Sequence, residues 1–192
     1  LCSISTSVLP LEWNGGKINL LDTPGYFDFV GEQAEAASAA DCALLVVSGK
    51  SGVSVGAEKA WALCEKQGIP LVIFINKLDD EKADYHKVLN ELKDVFGKKI
   101  APFLVPIKKD EHVDGFVNVV DMSSRRWDGD KVVDGPVPDG MENEIQPVRD
   151  MIMEAVAETD EALMNKYFEG EEFTAEEIHT GLKRGTVNRD IV

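Results

Sequence analysis

Residues 42–79 read CALLVVSGKSGVSVGAEKAWALCEKQGIPLVIFINKLD, and the fold turns on how this stretch is read. CALLVVS (42–48) and PLVIFIN (70–76) are apolar almost without a break, as strands buried on both faces of a sheet are. Between them VGAEKAWALCEKQG has the periodicity of a helix and closes on Gly68, a residue suited to the left-handed turn after a helix. Two buried strands joined through a helix imply parallel pairing, since strands that return antiparallel need only a short turn. The second strand ends on Asn76-Lys77-Leu78-Asp79.

Upstream, SISTSVLPLEW and GKINLLD flank the turn NGG and predict a two-stranded hairpin, followed by an Ala-rich amphipathic helix over FVGEQAEAASAA. Downstream, Tyr85, Val88, Leu89, Leu92 and Phe96 recur at helical spacing, and that segment closes at Gly97. Residues 1–106 are therefore expected to be α/β, with a doubly wound, mostly parallel sheet covered on both faces. Beyond residue 105 the pattern changes. GFVNVVDMSSRRWDGDKVVDGPVP alternates short strands with turn-rich breaks, a long helical stretch runs from Met141 to about Phe168, and a second helix follows FTAEE. Thr174 and Glu177 there have capping-box spacing. Two hairpin strands followed by two helices do not continue a β-α-β series. Residues 107–187 are thus expected to form an α+β insertion, with Pro136 and Pro138 at its joint and residues 188–192 starting a returning strand. The chain opens on LCSISTSV without Met and stops on RDIV, so the expectation is a piece of a longer polypeptide.

Composition narrows the function classes. A chain of 192 residues that is 44% hydrophobic can bury a sizeable core. Its 35 acidic against 20 basic residues give a net charge of −15, which repels a phosphate backbone, so direct DNA binding is not expected. Cys2, Cys42 and Cys64 have no metal-ligand spacing, and His86, His112 and His179 are isolated. The cysteines read as reduced packing thiols, and no apolar run approaches the ~20 residues that cross a bilayer. A cytoplasmic protein with no membrane association is expected.

Ligands of open parallel sheets bind at the carboxyl ends of the strands. Two such ends carry chemistry here. After INLL comes Asp22-Thr23-Pro24-Gly25-Tyr26: a carboxylate can hold Mg²⁺ through water, and a glycine after proline lets a backbone N–H approach a terminal phosphate with no Cβ in the way. After PLVIFI comes Asn76-Lys77-Leu78-Asp79. An aspartate there can accept from the N1–H and exocyclic amino group of guanine, donors that adenine lacks or reverses; Asn76 can tie neighbouring loops, and the Lys77 stem can lie over the base. Each tetrapeptide is also an ordinary turn. Their order, their places at strand ends and the helix-strand-helix unit between them make the pair far more specific.

Together with SGKSGVSVGAEKAW and MNKYFEGEEFTAEEIHTGLKRGTVNRDIV, these motifs resemble the GTPase domain of bacterial translation elongation factor G and its inserted G′ subdomain, over nearly the whole chain. The resemblance implies a P-loop-type GTPase fold, GTP or GDP with Mg²⁺ as ligands, and GTP hydrolysis on the ribosome during protein synthesis. It places Asp22, Thr23, Pro24, Gly25 and Tyr26 in the switch beside the γ-phosphate. Asn76, Lys77, Leu78 and Asp79 fall at the guanine site, Ser3 and Asp22 on Mg²⁺, and Tyr26 at the catalytic position. Residues 107–187 become the G′ insertion, whose acidic helices suit a ribosomal stalk protein. The phosphate loop Gly-x-x-x-x-Gly-Lys-Thr and the family's later Ser-Ala segment do not occur in the chain, so these residues alone are expected to be inactive. The family mostly carries His where Tyr26 stands, and a phenol of pKa near 10 cannot perform the same proton chemistry near pH 7. An elongation factor G-like paralogue is the better match. A GTPase of the ribosomal protection type and a non-hydrolytic module that binds the ribosomal stalk remain open as alternatives.

Overall fold

The computed structural model describes residues 2–109 and 112–192. β1 (Ser7–Trp13) and β2 (Gly16–Asp22) form an antiparallel hairpin with Ser7 opposite Asp22. Its turn residues, Asn14 and Gly15, sit at φ 47° and 76°, the left-handed pair whose twist matches that of the strands. A single 3-10 turn, Phe27–Phe29, leads into α1 (Val30–Ala39). β3 (Ala43–Ser48) and β4 (Leu71–Asn76) pair in parallel through the crossover helix α2 (Val55–Gln67), as the opening stretch requires. Ser54 caps α2 by accepting from the Ala57 N–H, and Gly68 ends it at φ 72°. Asp84 starts α3 (Tyr85–Phe96), which turns Tyr85, Val88, Leu89 and Leu92 into the core.

β5 (Leu104–Lys109), β6 (His112–Asn118), β7 (Ser123–Asp128) and β8 (Lys131–Pro136) form an antiparallel sheet in that order. α4 (Glu142–Ala157), α5 (Glu161–Glu169) and α6 (Ala175–Asn188) follow, α6 opening on the capping box between Thr174 and Glu177. One contiguous core runs from Leu45 and Val47 through Val88 and Leu92 to Val105, Val117, Ile152 and Ile178.

Several expectations are corrected. The described strands do not form one mostly parallel sheet: β3 and β4 alone pair in parallel, and the hairpin and the four-stranded sheet are antiparallel because short turns join their strands. The β3–β4 pair is not covered on both faces either. Leu45 and Val47 are buried, whereas Leu44 and Val46 on the opposite face are 60% and 55% exposed. The helical stretch from Met141 to Phe168 is two helices, broken where Asp160 caps α5 by accepting from the Ala162 N–H. The antiparallel sheet already begins at Leu104. Ile191 and Val192 form no strand, although Val192 donates to the Lys99 carbonyl and accepts from Ala101. No helix among the described residues is long and apolar enough to cross a membrane.

Candidate functional site

The parallel register places Ser48 beside Asn76, so β3 and β4 end at the same level and their two following loops meet. Gly49 donates to the Asn76 carbonyl at 2.7 Å and accepts from the Asp84 N–H at 3.0 Å. A Cβ on Gly49 would fall 2.8 Å from Leu78 Cδ2 and 3.1 Å from the Asn76 oxygen, so this approach needs glycine. The Ser48 hydroxyl accepts from the N–H groups of Lys50 and Ser51 and folds the loop back on itself. At its far end Gly52 sits at φ 71°, and the Val53 N–H donates to Glu91 Oε2 at 3.1 Å. The loop from Ser48 to Val53 is thus anchored to β4 on one side and to α3 on the other.

Within Asn76-Lys77-Leu78-Asp79 the four side chains divide by role. Asn76 Oδ1 accepts from the Lys77 N–H at 2.8 Å, and Lys77 adopts the left-handed conformation at φ 59°. Leu78 is buried under the loop at Gly49. Lys77 and Asp79 are exposed, and among the described residues neither side chain takes a hydrogen-bond or ion-pair partner. Asp80 differs from its neighbour. The Lys82 N–H at 3.0 Å and the Lys50 ammonium at 2.9 Å hold its carboxyl below the usual carboxylate range, the Lys82 bond contributing most. A planar ligand with two adjacent donors would find an accessible carboxylate at Asp79 and an aliphatic stem at Lys77.

The other strand end is built on α1. Asp22 is exposed at the end of β2, Thr23 is half-buried, Pro24 is under 2% exposed, and Gly25 has open space around the position of a Cβ. Gln33 Nε2 donates to the Pro24 carbonyl at 2.6 Å. Tyr26 is 61% exposed, and next to it Phe27 lies under the Lys59 ammonium, 4.3 Å from the ring centroid. Ser3 is exposed ahead of β1; three residues on, Thr6 donates its N–H to Glu32 Oε2 at 2.6 Å and its hydroxyl to the Glu32 carbonyl at 3.4 Å. Asp22 and Ser3 offer oxygen ligands of the kind a hard divalent cation takes. No group of three or more His, Cys, Asp or Glu among the described residues could hold a metal ion alone. A cation held by these two oxygens would have to draw its remaining ligands from phosphate and water.

The expected site residues therefore fall into two clusters. Asn76 to Asp79 come together with Ser48 to Val53, and Pro24 is tied to Gln33 while Thr6 is tied to Glu32; among the described residues no side-chain hydrogen bond joins Ser3 to Asp22 or one cluster to the other. A cavity of about 370 Å³ between α3 and α4, lined by His86, Leu89, Lys93, Glu144 and Pro147, touches neither cluster. Both strand ends carry exposed side chains, among them Asp22, Tyr26, Lys77 and Asp79. Sequence reasoning missed Gln33, Lys59, Glu91 and the Ser48–Gly52 loop. The two glycines directly after an apolar strand were the available signal for the loop.

The parallel β3–β4 pair with its crossover helix is an α/β unit whose strand ends are open to a ligand. The chain matches the elongation factor Tu GTP binding domain over residues 1–175 and belongs to that family. It is 35% identical over 190 residues to an elongation factor G-like protein of Thermotoga maritima, an alignment that takes in 99% of this chain and 27% of that protein. A crystal structure from Thermus thermophilus superposes with a TM-score of 0.89 at 35% identity, covering 99% of this chain and 28% of that one. The chain therefore spans just over a quarter of the length of these relatives.

Proposed function

We propose that these residues are part of the GTPase domain of an elongation factor G-like protein that hydrolyses GTP on the ribosome during protein synthesis in the cytoplasm. The observation that carries this reading is the β4 end. There Asn76 and Leu78 hold the loop while Lys77 and Asp79 face outward beside the Ser48–Gly52 loop. Asp79 accepts from guanine N1–H and its amino group, and Lys77 lies along the base. At the β2 end Asp22 and Ser3 hold Mg²⁺ together with the phosphates, the Gly25 N–H meets the terminal phosphate, and Tyr26 stands near the attacking water. Mg²⁺ supplies neutralisation of phosphate charge there. The phenol of Tyr26 orders that water by a hydrogen bond and does not take its proton. The pattern Gly-x-x-x-x-Gly-Lys-Ser/Thr does not occur in the 192 residues, so the backbone cradle for the inner phosphates is no part of them. The four-stranded sheet with α4 to α6 serves as the G′ subdomain, its acidic helices docking a ribosomal stalk protein.

Asp79→Asn in the full-length protein tests the assignment. An amide donates where the carboxylate accepted, so guanine binding should weaken and a xanthine nucleotide, which presents a carbonyl at that position, should be preferred. Competition of GDP against XDP reads the ratio, and an unchanged preference for guanine removes Asp79 from the base site.

A further inference from the structure

We infer that Gln33 is a positioning residue that aims the Gly25 N–H at the terminal phosphate; the inference rests on the reading of Asp22–Tyr26 given above. The Gln33 amide donates to the Pro24 carbonyl at 2.6 Å, and that oxygen belongs to the peptide whose other end is the Gly25 N–H. The chain has no cis peptide among the described residues, so this C=O and N–H point in opposite directions in one rigid plane. Holding the oxygen against α1 therefore fixes the direction of the hydrogen. Gly25 cannot hold that plane by its own packing, because nothing lies within 4 Å of the position a Cβ would take. Pro24 is buried, fixes its own φ and brings no N–H.

The support behind Gln33 is itself braced. Gln67 at the end of α2 donates to the Ala34 carbonyl at 3.3 Å, next to Gln33 in α1, and Lys59 of α2 covers Phe27 just after the switch glycine. One residue before Gln33, Glu32 accepts the Thr6 N–H and so fixes the strand that leads back to Ser3. One turn of α1 thus anchors both segments assigned to the γ-phosphate side of the nucleotide, while the guanine loop at Asn76–Asp79 is anchored elsewhere, on β3 and α3. The consequence is specific to the terminal phosphate. Loss of the Gln33 donor frees the Gly25 peptide to rotate, which weakens a nucleotide triphosphate and leaves a diphosphate unaffected.

The test is Gln33→Met in the full-length protein, a side chain of similar reach that suits a helix and donates nothing. Affinities for a non-hydrolysable GTP analogue and for GDP are measured side by side, with Asp79→Asn as a parallel variant. The triphosphate analogue should bind about tenfold more weakly, the consequence of one lost hydrogen bond, and GDP should stay within twofold. An equal loss for both nucleotides, or no loss for either, overturns the positioning role. If Asp79→Asn changes base preference while Gln33→Met changes nothing, the positioning role alone fails. If the unaltered protein binds neither nucleotide, the functional reading fails and the inference falls with it.

Discussion

Replacement of Gly52 by Ala is the sharpest structural perturbation available near the candidate base site. Gly52 sits at φ 71°, where an L-residue with a Cβ costs about 1 kcal/mol or somewhat more. The Cβ would also lie 1.8 Å from Glu91 Oε2, the oxygen that accepts the Val53 N–H at 3.1 Å. The carboxylate must move, and the hydrogen bond goes with it. A bond to a charged acceptor is worth roughly 1.5–3 kcal/mol, and the low end applies because Glu91 is 36% exposed. Local opening of the loop should therefore become easier by about 2–3 kcal/mol, a factor of roughly 30 to 150 at 1.4 kcal/mol per decade. Hydrogen exchange at the Gly52 and Val53 amides of the full-length protein reads this directly. Glu91→Ala alone also exposes the Val53 amide, and since both substitutions lose the same hydrogen bond, the double variant should cost about 1.5 kcal/mol less than the two singles together. Unchanged protection at Val53, or simple additivity of the two substitutions, would show that Glu91 does not hold this loop.

Two further expectations concern separate parts of the molecule. At Tyr26, which is 61% exposed, Phe should slow ribosome-stimulated GTP hydrolysis by about tenfold if the hydroxyl orders the attacking water, and His should restore or raise the rate; single-turnover rates insensitive to both changes would make Tyr26 a bystander. Glu177 joins α6 to α5. The Lys166 ammonium at 2.8 Å, and after it the Thr174 N–H of the capping box, lower its carboxyl from an ordinary 4.5 to about 2. Because the folded value is the depressed one, its contribution is fully present above about pH 4.5 and disappears as pH falls through about 2. An NMR titration of this carboxyl should show the low midpoint, and α6 helicity should fall less steeply over the same window in Glu177→Gln; identical acid profiles for the two proteins would exclude that ion pair as a brace.

What was legible in the sequence was carried by residues whose local chemistry admits few structures. Asn14-Gly15 can turn a hairpin with its own twist, Gly68 can close a helix in the left-handed region, and Thr174 with Glu177 can satisfy two helix-end donors at once; all three are observed. The β5 strand escaped because Pro106 interrupts LVPIKK, and a proline within a run argues against a strand. In the fold β5 is the edge of its sheet, where a missing N–H removes no bond on the open side. The break between α4 and α5 escaped for a different reason. Thr159-Asp160 lies among acidic residues that read equally well as the solvated face of one long helix, and only the bond from the Ala162 N–H marks Asp160 as a cap.

The same distinction runs through the candidate site. Residues that would meet a ligand are legible because the ligand dictates their chemistry, whereas Gln33, Glu91 and Ser48 act through bonds that exist only after folding has chosen their partners. The adjacent acids Asp79 and Asp80 make the point within one dipeptide. The family resemblance implies that the first meets the base and is silent about the second. Folding brings Lys50 across from the neighbouring loop and the Lys82 N–H back from the next turn, and both bind Asp80. A carboxylate held by an ammonium and a backbone donor has fewer lone pairs free for a base and a costly pair to break, while Asp79 has no such partner among the described residues. The two acids are thus complementary: Asp80 locks the loop that carries Asp79, and on the proposed reading substitution of Asp80 would disturb nucleotide binding only by loosening that loop.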